Sequence, residues 1–432
     1  MAKNSIGFAL SIVNKFAGSD IANKLHLTKP AEKIAYYSTR TGYQVLSSAN
    51  QRIQKVKSLI FAPDAGTSKS RHLFDLRLTQ EQQQIFDTLI HFSQNDVKPA
   101  AADADALKRL PGALLSAGLK LGLEKHALPL SYGGTGIVSQ LTSVLMAEAL
   151  AWGDMGCALR LLSNYSVIRL LNQYGSPVQQ TAYLKLLANP QKHTATLAIS
   201  EPTPFFDPTS LTTRVEQTKN GYKISGHKNC VPGHADLFLV AATLPDDSHG
   251  LFFVDRQLKG VTVSKDPAMG LNSAGLVQIS MQDVTLDSWA RLGDKSFNWP
   301  EVLDQSSLMW CAMAVGASQA VLDYMLPYCN QRQAFGEPIS HRQAVAFSLA
   351  DMATELEAMR LLTYRAASKA EQQLDYHRET YLARVQCNHH AIQIASKAIQ
   401  LLGGQGYTDK HPVERLYRDL RAIALLHNGL HA

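Results

Sequence analysis

The chain has 432 residues, 45% hydrophobic and 18% charged, with five cysteines and a formal net charge of +6. That length amounts to roughly two to three ordinary domains, and the composition excludes a disordered or low-complexity chain. The cysteines are odd in number and scattered, without a C-x-x-C pair. This suggests neither a disulfide framework nor a zinc site and fits a reducing cytoplasm, and no apolar run approaches the ~20 residues of a membrane-spanning helix.

The positive charge is local. Residues 1–60 hold nine basic groups against two acidic ones, a net of +7, so the rest of the chain sums to about −1. Ile6, Ala9, Leu10, Val13 and Ala17 recur at helical spacing, which makes an apolar stripe. It docks either on the protein's own body or a subunit neighbour, or on an anionic membrane surface aided by the nearby lysines. Nucleic-acid binding is not indicated, because no basic-aromatic module or zinc-finger spacing occurs. Residues 1–77 read as a basic extension.

Helical periodicity begins at Leu78, where Thr79 and Gln82 form a capping-box pattern. Further helices are predicted over 113–121, 139–151 and 158–174, so residues 78–190 form a helical domain. The period then shortens. Segments 195–199, 211–217, 222–225, 237–242, 251–254, 261–264 and 276–281 are short and rich in β-branched or aromatic residues. Asn220-Gly221 signals a hairpin with positive φ at both central residues. Residues 191–294 are thus a small β domain. Long helices over 302–329, 341–370 and 376–401 then predict an antiparallel, four-helix-type bundle within residues 295–432. The expected fold class is α+β, mostly α.

Several strings sit in order along this frame: Leu130-Ser131-Tyr132-Gly133-Gly134, Glu201-Pro202 after a strand, and Arg332-Gln333-Ala334-Phe335-Gly336 with Gln343. Gln400-Leu401-Leu402-Gly403-Gly404-Gln405-Gly406-Tyr407 follows, then Pro412-Val413-Glu414-Arg415 and Arg418-Asp419. Together they resemble the acyl-CoA dehydrogenase family of flavoproteins over about residues 78–429. The resemblance implies a dimer or tetramer of three-domain subunits that binds FAD, with the flavin ring between the β domain and the C-terminal helices. It implies an acyl-CoA substrate undergoing α,β-desaturation and an electron-transferring flavoprotein as acceptor. Arg332, Phe335, Gln343, Gln400, Gly403 and Gly404 match the positions that reach the adenosine diphosphate end of a neighbour's FAD. An arginine fork suits pyrophosphate, and paired glycines let backbone N–H groups approach phosphate. Ser200 keeps the hydroxyl beside the flavin.

Other positions depart from the family pattern. The glutamate that removes the substrate α-proton is replaced by His427 when counted without a gap, or by Asn428 when the glycine is aligned. The alternative location on the first C-terminal helix holds Ser306, and Asp304 is the neighbouring carboxylate. The family's Gly-Ser after Glu-Pro is absent from Ser200-Glu201-Pro202-Thr203-Pro204-Phe205-Phe206-Asp207. Pro232 replaces a flavin-contacting threonine and has no N–H. Three readings stay open at this stage: a dehydrogenase using His427 as base, a non-catalytic subunit completing the FAD site of an intact paralogue in a hetero-oligomer, and a related fold running other flavin chemistry. Metal catalysis is not indicated.

Overall fold

The computed structural model describes residues 77–136, 138–204, 206–233, 235–293 and 297–424. The apolar stripe of residues 6–17 and His427 lie outside them. The first helix, α1 (Gln80–Phe92), starts on the expected box. Thr79 Oγ1 accepts from the Gln82 amide at 3.1 Å, and Gln82 Oε1 accepts from the Thr79 amide at 3.0 Å. A π turn over Ser93–Val97 continues it into α2 (Lys98–Leu107), and α3 (Gly112–Leu121) follows. Next come α4 (Gln140–Gly153) and α5 (Met155–Tyr174); every residue of α4 except Trp152 is buried. A helix covered on all sides belongs at the centre of a domain, and these two carry a large share of the apolar core.

The β domain holds β1 (Ala195–Ala198), β2 (Arg214–Thr218), β3 (Gly221–Val231), β4 (Leu237–Thr243), β5 (His249–Asp255), β6 (Val261–Lys265), β7 (Val277–Asp287) and β8 (Arg291–Leu292). They pair in the order β6-β7-β3-β2-β4-β5-β8, with β1 parallel to β4. The continuous apolar runs of β4 and β5 reflect burial on both faces. Leu239, Ala241, Leu251 and Phe253 join the helical core, while Phe238, Val240, Phe252 and Val254 join a second core inside the sheet. Period-two alternation thus shares one sheet between two cores. The hairpin between β2 and β3 is present, but its turn residues are Lys219 and Asn220, because Thr218 pairs with Gly221. Neither turn residue has positive φ, contrary to the sequence expectation.

The C-terminal bundle opens with α6 (Trp299–Gln331). The two-stranded turn of β9 (Gln333–Ala334) and β10 (Glu337–Pro338) leads into α7 (Gln343–Glu371), then α8 (His377–Leu402) and the short α9 (Pro412–Arg421). Ion pairs of Lys369 with Glu379 (2.8 Å) and Lys397 with Glu355 (2.9 Å) show α7 and α8 running antiparallel. Gly316 lets α6 approach α4 closely; a Cβ there would lie 2.1 Å from the Glu148 carbonyl oxygen. The Glu148 carboxylate in turn holds α7, accepting from Arg360 Nε at 2.9 Å and from the Tyr364 hydroxyl at 2.8 Å.

α9 ties all three regions. Arg418 pairs with Asp105 of α2 at 2.7 Å and Arg415 with Asp154 at 3.2 Å, while Asp419 accepts the Leu271 amide at 2.6 Å. Burial, with Asp154 beside it, pushes the Asp419 carboxyl well above its ordinary range.

Candidate functional site

A cleft opens where the three regions meet. One wall is α5, through Leu159, Leu162, Ser163, Tyr165, Ser166, Arg169 and Leu170. The second is the β domain, through Thr196, Leu197, Ile199 and Ser200 of β1 and its end and Asn229–Pro232 of β3 and its end. The third is α6, through Val302, Gln305, Ser306, Met309, Trp310 and Met313. The helical spacing of 302, 305, 306, 309 and 313 places them on one face of α6.

The β wall is held by a buried ion pair. Lys228 Nζ donates to Glu201 Oε1 at 2.8 Å and to the Ile199 carbonyl at 2.9 Å, with both side chains fully enclosed. Glu201 also accepts from the Thr212 hydroxyl and amide (2.6 and 2.7 Å) and the Thr213 amide (2.9 Å). Burial opposes its ionisation, but Lys228 and the threonine bonds outweigh that and hold the carboxyl down at about 2. Because Asn229 N–H bonds to the Ser200 carbonyl at 3.0 Å, the pair fixes Ser200 and Asn229 together.

β3 is bulged at this point. Its pairing with β7 shifts between Lys228 and Val231, and Cys230 takes φ +52°. A bulge inserts an extra residue and re-aims neighbouring side chains. The Cys230 amide is caught by Asp266 Oδ2 at 2.7 Å. Burial, reinforced by Asp266, pushes its thiol up to about 12, so it carries no thiolate at neutral pH. Asn229 Oδ1 is buried without a hydrogen-bond partner, an acceptor awaiting a donor.

The expected site residues separate into two groups. Ser200 lines the cleft, together with Pro232 and Ser306. Arg332, Phe335, Gln343, Gln400, Gly403 and Gly404 do not; all are solvent-exposed, Phe335 at 96%. Antiparallel packing of α7 and α8 brings the α7 N-terminus at Gln343 and the α8 C-terminus at Gly403 to one end of the bundle, beside the β9–β10 turn. Gly403 ends α8 at φ +60° with open space around it, a conformation that favours glycine. Arg342 sits 5.5 Å from the Phe335 ring centroid, a cation–π contact.

Among the described residues, the cleft is lined by no Asp, Glu, His or Lys. Asp304 points elsewhere, its carboxylate 2.9 Å from His377 Nδ1 on α8, and burial raises its carboxyl above the ordinary range. Glu301 accepts from the Tyr174 hydroxyl at 2.8 Å. Sequence reasoning missed Tyr165, Arg169 and Asn229. The available signal was one arginine inside the apolar run Val167-Ile168-Arg169-Leu170-Leu171.

Known families match the chain along nearly all of this architecture. The acyl-CoA dehydrogenase N-terminal domain matches residues 79–191, the middle domain 196–284 and the C-terminal domain 300–427. The chain belongs to the acyl-CoA dehydrogenase family. It is 30% identical over 363 residues to the mitochondrial short/branched chain specific acyl-CoA dehydrogenase of Bos taurus, covering 81% of this chain and 83% of that one. An acyl-CoA dehydrogenase of Bacillus subtilis is 29% identical, covering 81% and 95%. Among solved structures, butyryl-CoA dehydrogenase of Megasphaera elsdenii superposes with a TM-score of 0.74 at 26% identity, over 82% of this chain and 96% of that one. PigA, solved with FAD and proline, shares the fold at 23% identity and a TM-score of 0.75, over 82% and 95%. The family's three domain matches coincide with the helical, β and bundle regions described above.

Proposed function

We propose that this acyl-CoA dehydrogenase family member is an FAD-dependent oxidoreductase acting on an acyl-CoA thioester, with the flavin ring and acyl group meeting in the cleft. The observation that carries this is the convergence of Ser200, Asn229 and Ser306 on one cleft between the β domain and two helices. The residues present fit the cofactor: Asn229 Oδ1 is a buried acceptor without a partner, Ser200 offers a hydroxyl, and Val231, Met309 and Trp310 supply apolar wall. When bound, FAD supplies the acceptor for the two electrons released as the acyl group is desaturated. Ser200 and Asn229 would hold its polar edge, and Leu159, Leu162 and Met313 would exclude water from the acyl chain.

At the exposed end of the bundle, Arg332, Phe335, Gln343, Gln400, Gly403 and Gly404 would serve a neighbouring subunit's FAD in a dimer or tetramer. Their exposure within one chain supports that role. His427 is the proposed base. The second reading is a subunit completing the FAD site of an intact paralogue. It is favoured by the lack of a carboxylate or imidazole among the described cleft residues, since a positioned base is worth roughly 10²- to 10⁴-fold in rate. An electron-transferring flavoprotein is the proposed acceptor of the active form.

The deciding experiment is to purify the chain alone, record its visible spectrum and quantify released FAD. A yellow protein near one FAD per chain that bleaches with acyl-CoA under anaerobic conditions supports the enzyme reading. A stable yellow protein that never bleaches removes His427 as a working base. A colourless protein that acquires FAD only with an intact homologue supports the partner subunit.

A further inference from the structure

The α5 wall of the cleft contains a buried cation with no ion-pair partner among the described residues. Arg169 lines the cleft one turn beyond Ser166 and is only 8% exposed. Its Nη1 donates to Ser143 Oγ at 3.0 Å and its Nη2 to Gln140 Oε1 at 2.7 Å, both neutral acceptors. Its Nε–H is buried without a hydrogen-bond partner, and no carboxylate among the described residues forms an ion pair with it.

The titratable groups around it do not bond directly to that charge. Tyr165, whose hydroxyl lies 2.6 Å from Ser143 Oγ, is kept in its neutral form by burial. Glu371 meets the same segment but is engaged at the α4 N-terminus, accepting from Ser139 Oγ at 3.0 Å and from the Gln140 amide at 2.9 Å. A buried charge without a partner costs several kcal/mol. The remaining walls near it are apolar, through Leu162, Leu170 and Met313. A plain hydrocarbon chain filling the cleft would seal Arg169 in with its charge unanswered. A chain ending in a carboxylate would answer the charge and the Nε donor together, the pairing for which guanidinium geometry is suited.

We infer that the cleft selects an acyl thioester whose chain carries a second, terminal carboxylate, and that Arg169 receives that carboxylate. This rests on the reading of the cleft as an acyl-CoA site. Arg169 acts here as a specificity determinant and needs no part in the redox step.

The test is calorimetric titration of the full-length protein, as purified, with matched pairs: glutaryl-CoA against pentanoyl-CoA, and adipoyl-CoA against hexanoyl-CoA. Within at least one pair the ω-carboxylate thioester is expected to bind about 10- to 100-fold tighter, the range of a charge-assisted hydrogen bond. Arg169→Met is expected to abolish or reverse the preference, and Arg169→Lys to retain part of it. Equal or tighter binding of the neutral partner in both pairs overturns the inference, whether or not the methionine variant folds. So does a preference that survives Arg169→Met. Binding of the neutral thioesters alone removes only the anionic preference; failure of every thioester and of coenzyme A itself removes the acyl-CoA reading as well.

Discussion

The cleft keeps one family-matching site residue, Ser200, whereas the exposed end of the bundle keeps six, and the two regions answer to different constraints. Cleft residues serve the fold and the site together. Lys228 and Glu201 close the β domain while placing Ser200 and Asn229, and the α5 residues fill the central core while lining the cavity. At the bundle end, Phe335, Tyr407 and Phe347 stand exposed at 96%, 97% and 60%, and Gly403 has open space where a side chain would sit. Among the described residues, nothing in the packing requires those apolar side chains to be there. The difference teaches that the exposed strings owe little to the packing of the described residues, which is what the proposed role toward a neighbouring subunit requires, whereas the changed cleft strings sit within an intact core.

The sharpest way to break this comparison is at Glu201. Glu201→Gln leaves Lys228 enclosed without its counter-charge, and an unfolding free energy lower by about 3–5 kcal/mol is expected from urea titration. Adding Lys228→Met should recover most of that loss. The sign of the pH effect follows from the depressed carboxyl, about 2 in the folded chain against 4.5 for the ordinary group. Its stabilising contribution is complete above pH ~4.5 and is lost as the pH falls toward 2. Wild-type urea midpoints should therefore drop over that window more steeply than those of the double variant.

Phe335→Ala should do the reverse. At 96% exposure it is expected to change unfolding free energy by no more than about 0.5 kcal/mol, while lowering retained FAD per chain or the subunit association seen by analytical ultracentrifugation. A large stability loss with unchanged association would contradict the division between the two regions. The smallest effect on activity belongs to Asp304→Asn. Its partner His377 is largely exposed, so the pair is worth about 1 kcal/mol or less, and any acyl-CoA-dependent flavin bleaching should stay within about threefold of wild type. Loss of bleaching would reinstate Asp304 as a base despite its position.

Much of the frame was legible in the sequence because period and punctuation agree with it: the Thr79 capping box, the α6–α8 helices and the order of the strands all stand where the residues placed them. The errors have physical causes. The third strand was expected over 222–225; it runs to Val231, where Lys228 is buried against Glu201, a partner distant in sequence. The hairpin after β2 was placed one residue late because Asn-Gly suggested a turn type the backbone does not adopt. Ser200 lines the cleft, whereas Asn229 carried no signal and Arg169 only its place inside an apolar run, since burial of a single polar side chain is decided by tertiary packing. His427 lies outside the described residues.

The sharing of one sheet between two cores bears on how this protein can be dissected. A fragment cut at the family boundaries of the middle domain, residues 196–284, would keep the inner face through Phe238, Val240 and Phe252 but strip the helices from Leu239, Ala241, Leu251 and Phe253. It would also lose β8, the edge partner of β5. Such a piece presents an apolar plate beside unpaired backbone, the recipe for strand-to-strand association. The middle region is therefore a module of ancestry and not of autonomy, and grafts or truncations of this chain should be drawn around α5 and α6 together with the sheet they cover.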